Sequence, residues 1–208
     1  MGLWKKLFSA KNAPANPALK EVRRHLSKLT PRQSIALEKI PTLAATYLQG
    51  AGYIYDRVIR DLLREYDDRF GSGVLDRVDE AQTQKITEQV LHYMIFHAYS
   101  DLSARVDNPN LAGLLLAAVH FEIFSVLPSQ MLSFLDFLRY ENRNFEDPSY
   151  APAYKFGQDI AAITGMADIN LPVMLSQQSP LIAELTKKLT HLALGEDPPL
   201  SCASGDPL

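Results

Sequence analysis

Residues 74–106 read VLDRVDEAQTQKITEQVLHYMIFHAYSDLSARV. Leu75, Val78, Ile86, Val90, Met94, Ala98, Leu102 and Val106 recur there at steps of three, four or twice four, and Leu91 and Ile95 widen the stripe. That spacing belongs to a helix with one apolar face. No part of the chain keeps up the two-residue alternation of a half-buried strand. The fold class is therefore all-α.

Working outward, helices are predicted near 2–10, 17–29, 31–49, 53–70, 74–107, 109–127, 129–142, 152–165, 170–177 and 180–194. Their starts are punctuated. Thr30-Pro31-Arg32-Gln33 places a capping threonine before a first-turn proline, with Gln33 set to close a capping box. Asn16-Pro17, Asn108-Pro109 and Ser179-Pro180 repeat the cap-then-proline pattern. Pro41 should kink or split the helix at 31–49, because its ring removes a backbone donor. Gly50-Ala51-Gly52 should break the next junction or pack it tightly.

Three regions follow: a basic amphipathic N-terminal helix and linker at 1–16, one compact multi-helix bundle at 17–194, and a disordered tail at 195–208. Helices 74–107 and 109–127 form the expected centre of the bundle. Ser9–Asn16 (SAKNAPAN) is a small-residue, proline-bearing linker. After Gly195, a natural helix stop, the tail holds three prolines and little apolar bulk.

Composition bounds the function. The 208 residues are 47% hydrophobic and 22% charged, enough to bury a core without disulfides. The single cysteine, Cys202, excludes an internal disulfide and any cysteine-based zinc finger. The net charge of −3 hides a split. Residues 1–39 carry nine Lys and Arg against Glu21 and Glu38, or +7, leaving −10 for the rest. Such asymmetry marks either a terminus that meets an anionic surface or a basic helix that docks on its own acidic body.

The first eight residues place Leu3, Trp4, Leu7 and Phe8 on one helical face, with Lys5 and Lys6 beside them. Aromatic and basic residues so arranged suit the lipid headgroup boundary. The apolar stretch is too short for a secretory signal, and Lys6 spoils the myristoylation pattern that Gly2 invites. Leu111–Leu127 is the longest apolar run, but its 17 residues include His120 and Glu122 and read as a core helix. The expectation is a cytoplasmic protein, peripheral at the inner face of the membrane.

Two internal features could carry chemistry. Glu88 and His92 are four residues apart, as are His97 and Asp101, and His120 and Glu122 follow on the next helix. Imidazole and carboxylate on adjacent turns can hold a metal. The candidate metal set is Glu88, His92, His97 and His120, and the enzymatic alternative is a metal- or haem-binding bundle using the three histidines. Against it, His92 and His97 stand about 140° apart on their helix. The Glu-x-x-His and His-Glu-x-x-His motifs are also missing. The plainer account is that each acid supports its histidine across one turn.

The other feature is 140–156 (YENRNFEDPSYAPAYKF), an aromatic loop with Tyr140, Phe145, Tyr150, Tyr154 and Phe156. Loop aromatics can meet a partner or clamp the loop to the core. Elsewhere the signatures fail: there is no Walker lysine after Gly71-Ser72-Gly73 and no Gly-x-Ser-x-Gly elbow. Arg57, Arg60 and Arg64 interleave with Asp56, Asp61 and Glu65, as on a solvated ion-paired face. Lys20, Arg23, Arg24 and Lys28 form a less neutralised basic patch. It lacks the aromatics that stack on single-stranded bases, so no nucleic acid is expected. The function expected is that of a non-enzymatic helical interaction protein. It docks on a protein partner and is tethered to an anionic membrane surface by its N-terminus. No catalytic residue and no cofactor are assigned.

Overall fold

In the computed structural model of the chain, residues 38–104, 118–123, 151–166 and 168–196 are described. They are overwhelmingly helical, with no strand among them. Helix α1 spans Ile40–Ile54. A π turn at Tyr55–Ile59 leads without a break into α2, Arg60–Phe70. A 3-10 turn at Leu75–Arg77 precedes α3, Glu80–Ala104. Residues 118–123 are helical. Then come α4 (Ala151–Thr164), α5 (Asn170–Ser176) and α6 (Ser179–Leu194). Helix α3 packs on α1, α4 and α6; α6 also packs on α1, and α5 on α4 and α2. One core runs through all of them, including Ala118, Val119 and Ile123.

Pro41 sits in the first turn of α1, where its missing N–H costs nothing. The expected split of 31–49 is thus placed at residues 39–40. The glycines behave otherwise than a break would require, because α1 runs straight through Gly50 and Gly52. Gly50 is there for closeness: a Cβ on it would lie 2.5 Å from Leu189 Cδ1 and 2.9 Å from Met94 Cε. The break expected between the helices at 31–49 and 53–70 is therefore corrected: residues 40 to 70 form one helical run, and 31–37 lie outside the described residues. The π turn explains how a single run stays buried. At ~100° per residue the buried positions Tyr55, Ile59, Leu62, Leu63 and Tyr66 drift by roughly 80° from those of α1. One extra residue in a turn restores the phase.

The start of the central helix is also corrected, from 74 to Glu80. Asp79 accepts from Gln82 N–H at 2.9 Å and Asp67 gathers the chain ahead of it. Asp67 accepts from Ser72 Oγ at 2.8 Å, Val74 N–H at 3.1 Å and Leu75 N–H at 3.4 Å. Gly71 and Gly73 take the left-handed conformations this turn needs. Two acidic caps outweigh the apolar periodicity of Leu75 and Val78, which pack on the core from a turn.

Tyrosine hydroxyls join the helices. Tyr47 meets Thr190 Oγ1 at 2.8 Å between α1 and α6. Tyr55 meets Thr83 Oγ1 at 3.0 Å, and Tyr93 meets Ser179 Oγ between α3 and α6. Tyr66 donates to Asp168, whose other oxygen caps α5 through Asn170 N–H at 2.9 Å and Leu171 N–H at 3.2 Å. The α4–α5 contact is backbone on backbone: a Cβ on Gly157 would lie 2.3 Å from the Pro172 carbonyl oxygen. Among the described residues no helix is long and apolar enough to cross a membrane.

Candidate functional site

The titratable residues singled out from the sequence converge only in part. His92 and His97 lie on α3, and His120 lies in the helical segment 118–123. His92 is fully buried. Its position, 140° around the helix from His97, keeps the two imidazoles on different faces. His120 is the electrostatic neighbour of His92, since a charge on His92 further disfavours one on His120.

His97 stands in an aromatic wall. Its ring meets Tyr93 edge-on, with centroids 4.6 Å apart and planes at 86°. Phe96 lies 5.3 Å away. Tyr93 in turn stacks on Phe156 of α4 at 4.5 Å and 15°. Such contacts are worth roughly 0.5–1.5 kcal/mol each beyond the area they bury.

Burial decides the charge of these groups. It pushes His97 down to about 4, and it pushes His120 to about 4 with help from His92. An imidazolium stripped of water in an apolar surround is disfavoured, so both rings are neutral at neutral pH. A neutral imidazole is a competent metal ligand. Glu88, however, accepts a hydrogen bond from Gln84 at 3.0 Å. Among the described residues no three His, Cys, Asp or Glu side chains gather as a metal-holding group.

The aromatic stretch is corrected in part. Tyr154 and Phe156 are on α4 rather than in a loop, and Phe156 is core. Ala153 and Phe156 start the buried face of that helix, so both are spent on packing. Tyr140, Phe145 and Tyr150 lie outside the described residues. So do Leu3, Trp4, Lys5, Lys6, Leu7 and Phe8, the basic patch Lys20, Arg23, Arg24 and Lys28, and the tail from 197 with Cys202. The Arg57–Arg64 stripe is exposed where an ion pair is seen, Arg64 to Asp61 at 2.8 Å, in keeping with a solvated face.

One pairing escaped the sequence. Tyr66 and Asp168 are 102 residues apart, and only the fold unites them. Burial first, and then Asp168, push the Tyr66 phenol up to about 12. The Tyr66 hydroxyl, with the α5 backbone, holds Asp168 below the usual carboxylate range. A phenol so raised stays protonated, a hydrogen-bond donor and a poor acid, which suits a structural clasp. The legible half of this signal was Asp168 as a cap two residues before Asn170. Comparisons with protein-family models, with curated proteins and with solved structures gave no match to this chain.

Proposed function

We propose that this chain is a non-enzymatic helical interaction protein, docked on a protein partner and held at an anionic membrane surface by its N-terminal segment. The observation that carries the reading is the charge split: +7 over residues 1–39, led by Trp4 and Phe8 beside Lys5 and Lys6, ahead of a body at −10. Basic residues near an anionic leaflet are worth about 1 kcal/mol each, and amphipathic aromatics add apolar burial at the headgroup boundary.

The body supports the reading by what its reactive side chains are occupied with. His97 packs on rings, Tyr66 and Asp168 clasp one another, and Asp67 and Asp79 cap turns and helices. A metal site of three or more protein ligands would need a side chain that the described residues do not bring to His92 and His120.

Co-sedimentation with vesicles tests the tether. Full-length protein is expected to bind vesicles rich in anionic lipid, to bind neutral ones less, and to lose binding as salt rises. Replacing Lys5 and Lys6 by alanine should weaken binding roughly 30-fold. Equal sedimentation of the full chain and of a chain lacking residues 1–12 would sink the proposal.

A further inference from the structure

Among the described residues, helix α6 buries one side in the body through Ile182, Thr186, Thr190 and Ala193 and leaves two large leucines of the other side exposed. On that other side Leu181, Leu185, Lys188 and Leu192 follow at steps of four, three and four, and so project within ~60° of one another, with Leu185 partly buried against the core. Leu181 is 42% exposed and Leu192 58%, two of the few large apolar side chains so exposed among the described residues. The steps are those of the a and d positions of a coiled-coil seam. Lys188 stands within that seam, paired to Glu184 one turn earlier at 2.9 Å.

We propose that this stripe is a self-association surface, on which α6 packs antiparallel against α6 of a second copy of the chain. The argument is self-complementarity, the property a two-fold interface demands. An axis passing between residues 186 and 187 sets Leu181 against Leu192 of the partner subunit, and does so at both ends. The same axis sets Leu185 on the alkyl stem of Lys188 of the partner subunit, with Glu184 one residue from facing that ammonium. Two apolar contacts and two opposite-charge contacts form at once. Parallel packing would instead stack Lys188 on Lys188 of the partner subunit, which like charge disfavours.

The seam is a single helix of ~24 Å, so it covers less than the ~800 Å² per chain typical of a stable complex. Association is therefore a weak, concentration-dependent equilibrium. Dimerisation would also place two N-terminal segments on one particle, but the contact itself needs neither lipid nor residues 1–37.

Sedimentation equilibrium of the full chain from ~5 to ~500 μM, without lipid, is the test. The expected result is a monomer that passes to dimer across that range. The Leu181→Glu/Leu192→Glu variant changes exposed positions, so its circular dichroism and Tm should stay close to those of the parent, while association weakens at least ~30-fold. Glu184→Lys and Lys188→Glu should each self-associate less than the parent, and an equal mixture of those two variants should recover several-fold. A chain that stays monomeric at every concentration overturns the proposal. So does a dimer indifferent to the paired leucine change, or a mixture no stronger than its components.

Discussion

Where α1 packs on α6, and where α3 presents its histidines and rings, the molecule buries polar groups by different means. On the first side the groups are hydroxyls, each given an oxygen nearby. Thr190 donates to the Thr186 carbonyl at 2.9 Å and Thr186 to that of Ile182 at 2.8 Å, while Tyr47 closes onto Thr190. On the second side the groups are imidazoles kept uncharged by burial. Hydroxyls do not titrate in the accessible range and imidazoles do. One side is thus indifferent to pH and the other is a proton-sensitive part of the core.

The largest effect expected from this contrast is acid destabilisation. His97 and His120 titrate near 4 in the folded chain against 6.5 as free groups. Between those limits the unfolded chain binds more protons than the folded one. Their stabilising effect is therefore complete above pH 6.5, is lost as pH falls from 6.5 toward 4, and changes no further below. Each group contributes at most about 3 kcal/mol across that window. Denaturant midpoints measured from pH 7.5 to 4.5 should show the slope, and His120→Gln should flatten it. A slope unchanged in both His97→Gln and His120→Gln would show that these two imidazoles are not its source. Thr186→Val and Thr190→Val, on the other side, should leave the slope as it was.

Next in size is Gly157→Ala. The new Cβ meets Pro172 backbone, which cannot turn aside as a side chain can. Overpacking of this kind costs typically 1–3 kcal/mol, and alanine returns up to about 1 kcal/mol of helix propensity. A net loss of about 2 kcal/mol in chemical denaturation is expected, because α4 and α5 must separate.

That closeness was not legible in the sequence, whereas several of the described helices were. The apolar steps around Val90 and Met94 placed α3, and Ser179-Pro180 placed the start of α6 to within a residue, because both signals act within a few residues of the chain. Errors came where two local rules compete. Leu75 and Val78 continue a helical stripe, yet the Asp79 carboxylate caps the Gln82 N–H and starts the helix later. Gly50 reads equally as a breaker or as a point of tight packing, and only the approach of Leu189, 139 residues on, decides for the second. The histidines divide in the same way. Their separation around α3 follows from arithmetic, but the influence of His92 on His120 depends on how two helices dock.

Smaller effects separate the two tyrosine clasps. Tyr66→Phe and Tyr47→Phe each remove one hydrogen bond and should cost about 1 kcal/mol, with the Asp168 side screened by solvent. Their pH signatures differ. Without the Tyr66 hydroxyl, Asp168 loses the foremost cause of its lowered pKa, so its carboxyl should titrate closer to the ordinary 3.8. Carbon-detected NMR titration of that side chain should show the midpoint rise in Tyr66→Phe and stay put in Tyr47→Phe.

The smallest expected change is Gly50→Ala, and it sharpens the comparison because the nominal overlap resembles that at Gly157. Here the Cβ would meet Leu189 Cδ1 and Met94 Cε, the far ends of two adjustable side chains. A rotamer change at Leu189 or Met94 relieves the overlap at a cost of order 1 kcal/mol, and methionine is well suited to it. The gain in helix propensity is of similar size and opposite sign. Stability should then move by less than about 1 kcal/mol. If Gly50→Ala instead cost as much as Gly157→Ala, the α1–α3–α6 packing would be as unyielding as a backbone crossing. The division of the core into an adjustable side and a fixed side would then fail.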